Sequence, residues 1–270
     1  MIGTVNAPIS KTFSWIGGNG TEIEMPGTVR RERLTLAEGE ERTLVRETGG
    51  AEETWELTAD AGDGAVLRLI QIQLSGGKSV NSVRVKCGRK ARFEWYRVVL
   101  KGGPVYDSCR AELAGDGSSF AAETAFLRSG EELLDLNVEA VHLGRRTESG
   151  IHVSGVMSGR SGKIFRGTID LRRGCKGAAG NETEEVLLLD PEVRNRSLPV
   201  ILCAEEEVTG NHGASIGRLD EGLLYYLTSR GLETEAARKM MAAARLQAVI
   251  RKIPDEKIRG MLLETEEIRG

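Results

Sequence analysis

The chain has 270 residues, 40% of them hydrophobic and 29% charged, enough to bury a sizeable core without disulfides or structural metals. Its 37 basic and 40 acidic residues leave a net charge of −3, which gives no general attraction to polyanions and argues against a nucleic-acid partner. No apolar run approaches the roughly 18 residues that cross a bilayer, and Gly17, Gly18 and Gly20 interrupt any leader-like core, so a soluble, cytoplasmic protein without a membrane partner is expected.

The 34 glycines, about 13% of the chain against a usual 7% or so, imply many turns, and 4% aromatics imply few bulky core residues. They have no period of three and there are only six prolines, which excludes a collagen-like chain. Cys87, Cys109, Cys175 and Cys203 form no CxxC pair or zinc-ribbon spacing; buried thiols are the simplest reading, above all for Cys87 and Cys109.

Residues 1–29 are read as an N-terminal segment. From Arg30 to about Leu202 short apolar stretches, mostly of period two, end at glycines or polar turns: Leu34 and Leu36; Val66 to Leu74; Val83 and Val85; Phe93 to Leu100; Leu133 to Val141; Ile151, Val153 and Val156; and Ile164 to Leu171. These are predicted strands with no helix between them. Strands joined by short turns fit a β-solenoid or a sandwich or barrel, and this pattern leaves the choice open. After His212 the period changes. Leu219, Leu223, Leu224 and Leu227 behind Asp220 predict a short helix stopped at Gly231. A second is predicted from Thr234, with Ala237, Met240, Met241, Ala244 and Ala248 on its packed side, ending before Pro254. Asp255 caps a third, with Ile258, Met261 and Leu262 facing inward. The expected divisions are therefore 1–29, a β domain over 30–211 and a helical domain over 212–270, the helices serving the β body as an end cap.

The junction carries specific residues. Phe165-Arg166-Gly167, Leu187 to Leu189, Pro199, Glu206-Glu207-Val208, His212-Gly213-Ala214, Leu219-Asp220-Glu221, Tyr226-Leu227 and Arg230-Gly231 follow one another over about 75 residues. In order and spacing this stretch resembles the SufB/SufD family of iron–sulfur cluster assembly proteins. His142, Thr147 and Ser149 are similar to its H…T.S element, and Thr12 to Trp15 to its TxxW-like start. Gly213 after the histidine places the resemblance nearer the SufD branch, in a form shortened at the N-terminus.

The resemblance implies an all-β body with an α appendage: a right-handed parallel β-helix followed by a small helical domain. It also implies a non-catalytic scaffold working with a SufC-type ABC ATPase and either a SufB-like subunit or a second copy of this chain. No GxxxxGK[ST] sequence occurs here, so ATP is expected on the ATPase alone. The cargo is iron or an iron–sulfur cluster, held transiently and shared with a partner.

Imidazole, thiolate and carboxylate are the donors such a cargo needs. Candidate ligands are His212, Cys203 and Glu206, the last within the acidic run Glu205 to Glu207, with Cys175 facing the same junction. The alternative for His212 is a structural histidine, and for the acidic run a solvated surface; His142 and His152 are expected to satisfy local hydrogen bonds. Gly210 stands where the family commonly has cysteine and Leu202 where an acidic residue is usual, which favours a supporting role over a self-paired scaffold. Leu227, Met240, Met241 and Leu262 are the candidate docking residues for the ATPase. A polysaccharide-active β-helix enzyme is the competing class, but Asp107, Asp116 and Asp135 are too scattered for a paired-carboxylate site.

Overall fold

The computed structural model describes residues 1–6 and 20–269; Thr12 to Trp15 lie outside the described residues. β1 (Ile2–Val5) and β2 (Thr21–Glu24) pair antiparallel. The next fourteen strands alternate between two seven-stranded parallel sheets. In chain order they are β3 (Val29–Leu36), β4 (Glu41–Thr48), β5 (Glu53–Ala61), β6 (Val66–Gln73), β7 (Ser79–Cys87), β8 (Arg92–Val99), β9 (Val105–Leu113), β10 (Ser119–Arg128), β11 (Leu133–His142), β12 (Glu148–Met157), β13 (Gly162–Leu171), β14 (Ala179–Leu188), β15 (Arg194–Cys203) and β16 (Thr209–Arg218). Odd strands from β3 build one sheet and even strands the other. Each odd–even pair is one coil, so the body is a β-solenoid of seven coils.

Stacking of coils is legible in the turns between odd and even strands. The N–H groups of Gly39, Gly64, Lys90, Gly117, Arg146 and Gly177 each bond to a carbonyl of the next turn, those of Asp63, Arg89, Asp116, Arg145, Lys176 and Glu207, at 2.7–3.0 Å. All six donors have positive φ, between 51° and 77°, the left-handed geometry that four of them accommodate by being glycine. Charge alternates along part of this ladder: Asp63 pairs with Arg89 at 2.6 Å and Lys176 with Glu207.

Side chains alternating inward from both sheets form the interior. It holds Ala59, Ala111, Ala122 and Ala140 beside Trp55, Trp95 and Phe126, with Phe93 and Phe120 stacked at 5.2 Å. Small residues opposite large ones fill the narrow space between the sheets.

Four helices follow: α1 (Glu221–Ser229), α2 (Thr234–Ile250), α3 (Glu256–Leu263) and α4 (Glu266–Arg269). Asp220 caps α1 by accepting from Gly222 and Leu223, Gly231 follows it at φ 94°, and Asp255 caps α3 by accepting from Ile258. The expected end cap is corrected by their placement. Leu246, Val249 and Ile250 of α2, with Ile253, Leu262 and Ile268, cover Ile70, Ile72, Val98, Ala125, Val156 and Leu187 on the outer face of the even sheet. The packed side of α2 is thus Ala237, Ala243, Leu246, Val249 and Ile250; Met240 is 41% exposed, Ala244 and Ala248 are exposed, and Met261 of α3 faces outward. Residues at strict four-residue intervals drift around a 3.6-residue helix, so 240, 244 and 248 leave the face that 243, 246 and 250 hold. The boundary expected at residue 212 falls within β16, and the first helix begins at Glu221.

The two ends of the solenoid differ. β3 and β4 carry Arg30, Arg31, Glu32, Arg33, Glu41, Arg42, Arg46 and Glu47. β16, the edge of the even sheet at the other end, reads Thr-Gly-Asn-His-Gly-Ala-Ser-Ile-Gly-Arg, with all ten residues exposed.

Candidate functional site

His212 lies on that open edge. β14 and β16 pair Gly180 with Gly210, Glu182 with His212 and Glu184 with Ala214. A Cβ added at Gly180 or Gly210 would meet Ile169, Ile201 or Leu171, so this alternation faces the interior. His212 therefore stands over the mouth of the solenoid, one layer beyond Glu182.

Beneath it the interior turns polar. Lys163 of β13, fully buried, donates to the Glu184 carboxylate and to Ser197 Oγ at 3.2 Å. Glu182 is 3% exposed and accepts no hydrogen bond among the described residues. Its carboxyl reaches across the interior to Gly167: a Cβ there would lie 2.1 Å from Glu182 Oε2. Burial pushes Glu182 up to about 7, against the opposing pull of Lys163. Burial also draws Lys163 well below the usual lysine range, opposed by Glu182.

An acid with a raised folded pKa contributes stability below its unfolded value, 4.5 here, and loses it as pH rises through 7. Glu182→Gln removes that loss. The variant is expected to exceed the wild type by about 3 kcal/mol above pH 8, the difference fading toward pH 4.5. Urea melts at the two pH values check this, and a difference independent of pH would show that folding does not raise Glu182 above its ordinary carboxylate range.

The other expected ligands do not converge on His212. Among the described residues no three His, Cys, Asp or Glu side chains form a metal-holding group. The candidates His212, Cys203 and Glu206 are thus not brought together in one group within this chain. Cys203 is exposed at the end of β15 and its thiol donates to Glu205 O at 3.1 Å. The acidic run diverges: Glu205 accepts from Gly174 N, Glu207 pairs with Lys176, and Glu206 stays in solvent. Cys87, Cys109 and Cys175 are buried, and burial pushes Cys87 up to about 12.

His142 is buried between Thr147 Oγ1 and Ser149 Oγ, each at 2.8 Å, and burial pulls it down to about 4. His152 meets Glu123 at 2.7 Å, and Lys252, just after α2, joins the same carboxylate. Both make local bonds, as expected. Asp107 pairs with Arg97 inside the solenoid, Asp116 accepts from Arg145 N in a turn, and Asp135 accepts from Asn6, Thr21 and Arg166 on the outer face of the odd sheet; these three build no paired-carboxylate site.

Of the expected docking residues, Leu227 and Met241 are half-buried and Met240 is exposed. Leu262 is corrected: it is fully buried between the helices and the even sheet, and it cannot meet a partner. α1 buries none of its residues, and Leu223, Tyr225 and Tyr226 are exposed on it. Lys163, Glu182 and Glu184 were not legible as site residues. The signal was available by counting back in twos from inward-facing Val186, which lands on both glutamates.

The family described as SUF system FeS cluster assembly, SufBD core domain, matches residues 22–245. The chain belongs to the SufBD family of iron–sulfur cluster assembly proteins. The SufBD match runs from β2 into α2 and so takes in every coil and the open mouth. The chain is similar to the iron–sulfur cluster assembly protein SufD of Bacillus subtilis, 30% identical over 180 residues, covering 67% of this chain and 41% of that one. It is also similar to the SufBD family protein ABCI8 of Arabidopsis thaliana chloroplasts, 24% identical over 169 residues, 63% of this chain and 30% of the relative. SufB of Bacillus subtilis is 26% identical over 176 residues, 64% and 37% respectively. The match thus spans less than half the length of each of these relatives.

Proposed function

We propose that this chain is a SufD-like scaffold and assembly subunit of cytoplasmic iron–sulfur cluster biogenesis, itself without catalytic chemistry. It pairs through its open end with a SufB-like subunit and docks a SufC-type ABC ATPase on its C-terminal helices. Iron or the nascent cluster is cargo shared across the pair, with His212 the donor from this side, and ATP is bound by the ATPase.

The observation that carries this reading is the asymmetry of the ends. An edge strand is a template for another chain, and charges normally blunt it. β3 and β4 carry such charges; β16 has no Asp, Glu or Lys and only Arg218 at its last position. A fully exposed edge that bears the histidine and carries its one Arg at the far end suits strand addition by a partner. The exposed Leu223, Tyr225, Tyr226 and Met240 supply an apolar, aromatic surface of the kind that anchors interfaces.

The test is co-expression with a SufB-like subunit and the ATPase, then affinity purification and anaerobic cluster reconstitution. Ser215→Lys, which puts a charge on the edge, is expected to lose the SufB-like subunit. His212→Ala should keep both partners and lose most cluster formation, read near 400 nm. Met240→Glu should weaken only the ATPase. Wild-type pairing in Ser215→Lys together with wild-type cluster yield in His212→Ala would overturn the reading, and capture of a second copy in place of the SufB-like subunit would replace the heteromeric pair by a self-paired scaffold.

A further inference from the structure

A cleft of about 510 Å³ lies between the N-terminal half of α2, the start of α4 and the turns that follow β8, β10, β12 and β14. Small-molecule sites are usually clefts of roughly 300–1,000 Å³, mostly apolar with a few placed polar groups. One wall is a stripe of α2: Glu235, Arg238, Lys239, Ala242 and Leu246 recur at three- and four-residue spacing and so share one side of the helix. The stripe is apolar toward Leu246 and charged toward Glu235. Leu127 and Leu189, at the ends of the even strands, extend the apolar part across the floor.

The charged part says what the cleft can hold. Elsewhere along this layer cations find carboxylates: Lys101 pairs with Glu267, Arg245 with Glu185 at 3.1 Å and Lys252 with Glu123 at 2.8 Å. Arg238 and Lys239 pair with none among the described residues, and neither do Glu235 and Glu266 pair with a cation, although all four line the same cleft. Arg238 is half-buried, and its Nε is shielded from solvent without a hydrogen-bond partner. A donor left in that state is costly, and an anion in the cleft would satisfy it. A simple anion is nevertheless disfavoured. Lys101, Arg238 and Lys239 are outnumbered on the lining by Asp190, Glu235, Glu266 and Glu267. A simple cation meets the converse difficulty at Arg238 and Lys239. A molecule that carries both charges and an apolar body answers the whole lining.

We infer that this cleft binds a small zwitterion with an apolar side chain, a free amino acid or short peptide of the leucine or methionine kind. Its carboxylate lies against Arg238, its ammonium against Glu235 and Glu266, and its side chain on Leu127, Leu189 and Leu246. Such an occupant touches α2, α4 and the turns of successive coils together, so its binding fastens the helical layer to the β body. The inference is independent of how the chain pairs and of the cargo it handles.

The experiment is a calorimetric titration of the full chain with L-leucine, L-methionine and the dipeptide leucyl-leucine, one molecule per chain being expected for at least one of them. N-acetyl-leucine lacks the ammonium and leucinamide the carboxylate; each should bind about tenfold more weakly than the zwitterion. Arg238→Gln should weaken the zwitterion about tenfold while leaving the affinity for leucinamide unchanged, a difference that a merely structural change would not produce. Arg238 makes no ion pair, so this variant should melt as the wild type does. Ala242→Leu narrows the cleft and should weaken every probe, whereas Glu206→Gln, far from it in the acidic run after β15, should bind normally. Preference for leucine or methionine over the dipeptide assigns the free amino acid, and the reverse assigns a short peptide; both uphold the inference. Absence of saturable binding by all three zwitterions overturns it, as does wild-type affinity in Arg238→Gln or N-acetyl-leucine binding as tightly as leucine.

Discussion

Alanine at Asp107 is expected to destabilise the protein by about 3–5 kcal/mol, because it strands a guanidinium in the solenoid interior. Arg97 and Asp107 are both fully buried, joined by Nε to Oδ2 at 2.6 Å, and Asn81 Nδ2 donates to Oδ1 at 2.7 Å. Arg97 also donates to Gln73 at 3.1 Å, so the group is tied to β6, β7, β8 and β9 at once. The pair itself contributes little net stability once its desolvation is counted. The double change Arg97→Met with Asp107→Leu is therefore expected to recover most of the loss. Denaturant melts of the three variants decide it: a double variant as unstable as Asp107→Ala would mean that the polar group is needed for specific packing.

Gly115→Ala is the second large effect, about 3 kcal/mol or more, with a fall in Tm of roughly 10 °C. Its φ is not in the left-handed region, and the obstacle is steric. An added Cβ would lie 2.1 Å from Arg89 N and 2.2 Å from Gly88 C, backbone atoms of the preceding turn. No side chain can swing aside to relieve this, so the coils must separate where Gly115 N bonds to Cys87 O at 2.9 Å. Gly213→Ala is the control, since its Cβ meets nothing within 4 Å. Equal melting of the two variants would show that the turns are not stacked as described.

The strands were legible because their interior residues alternate with polar ones, and α1 and α3 because Asp220, Gly231 and Asp255 mark their ends. The repeat was not. Ser79 pairs with Val105 and Val105 with Leu134, offsets of 26 and 29, while Gly162 pairs with Arg194, an offset of 32. Glycine marks the left-handed turn position in four coils, but Lys90 and Arg146 occupy it in two others, so no fixed period or residue type announces the ladder. Of the candidate site, His212 stood out through the resemblance alone. Lys163, Glu182 and Glu184 did not, because charged residues in a strand read as solvent-facing until register places them inside. The face of α2 failed for a related reason: its alanines and methionines are equally apolar on several sides, and only the sheet beneath decides which side packs.

A stack of coils has contacts mainly between neighbours, and such arrays can fray from either end one layer at a time. α2 and the residues packed around it change that. One apolar cluster binds Ile70 and Ile72 of β6, Val98 of β8, Ala125 of β10, Val156 of β12 and Leu187 of β14 to the same helical layer. Five successive coils share this brace, so none of them can loosen without lifting the helix from the others. The middle of the molecule thereby acts as one cooperative unit, and the freedom to open is left to the first and last coils, which the brace does not reach.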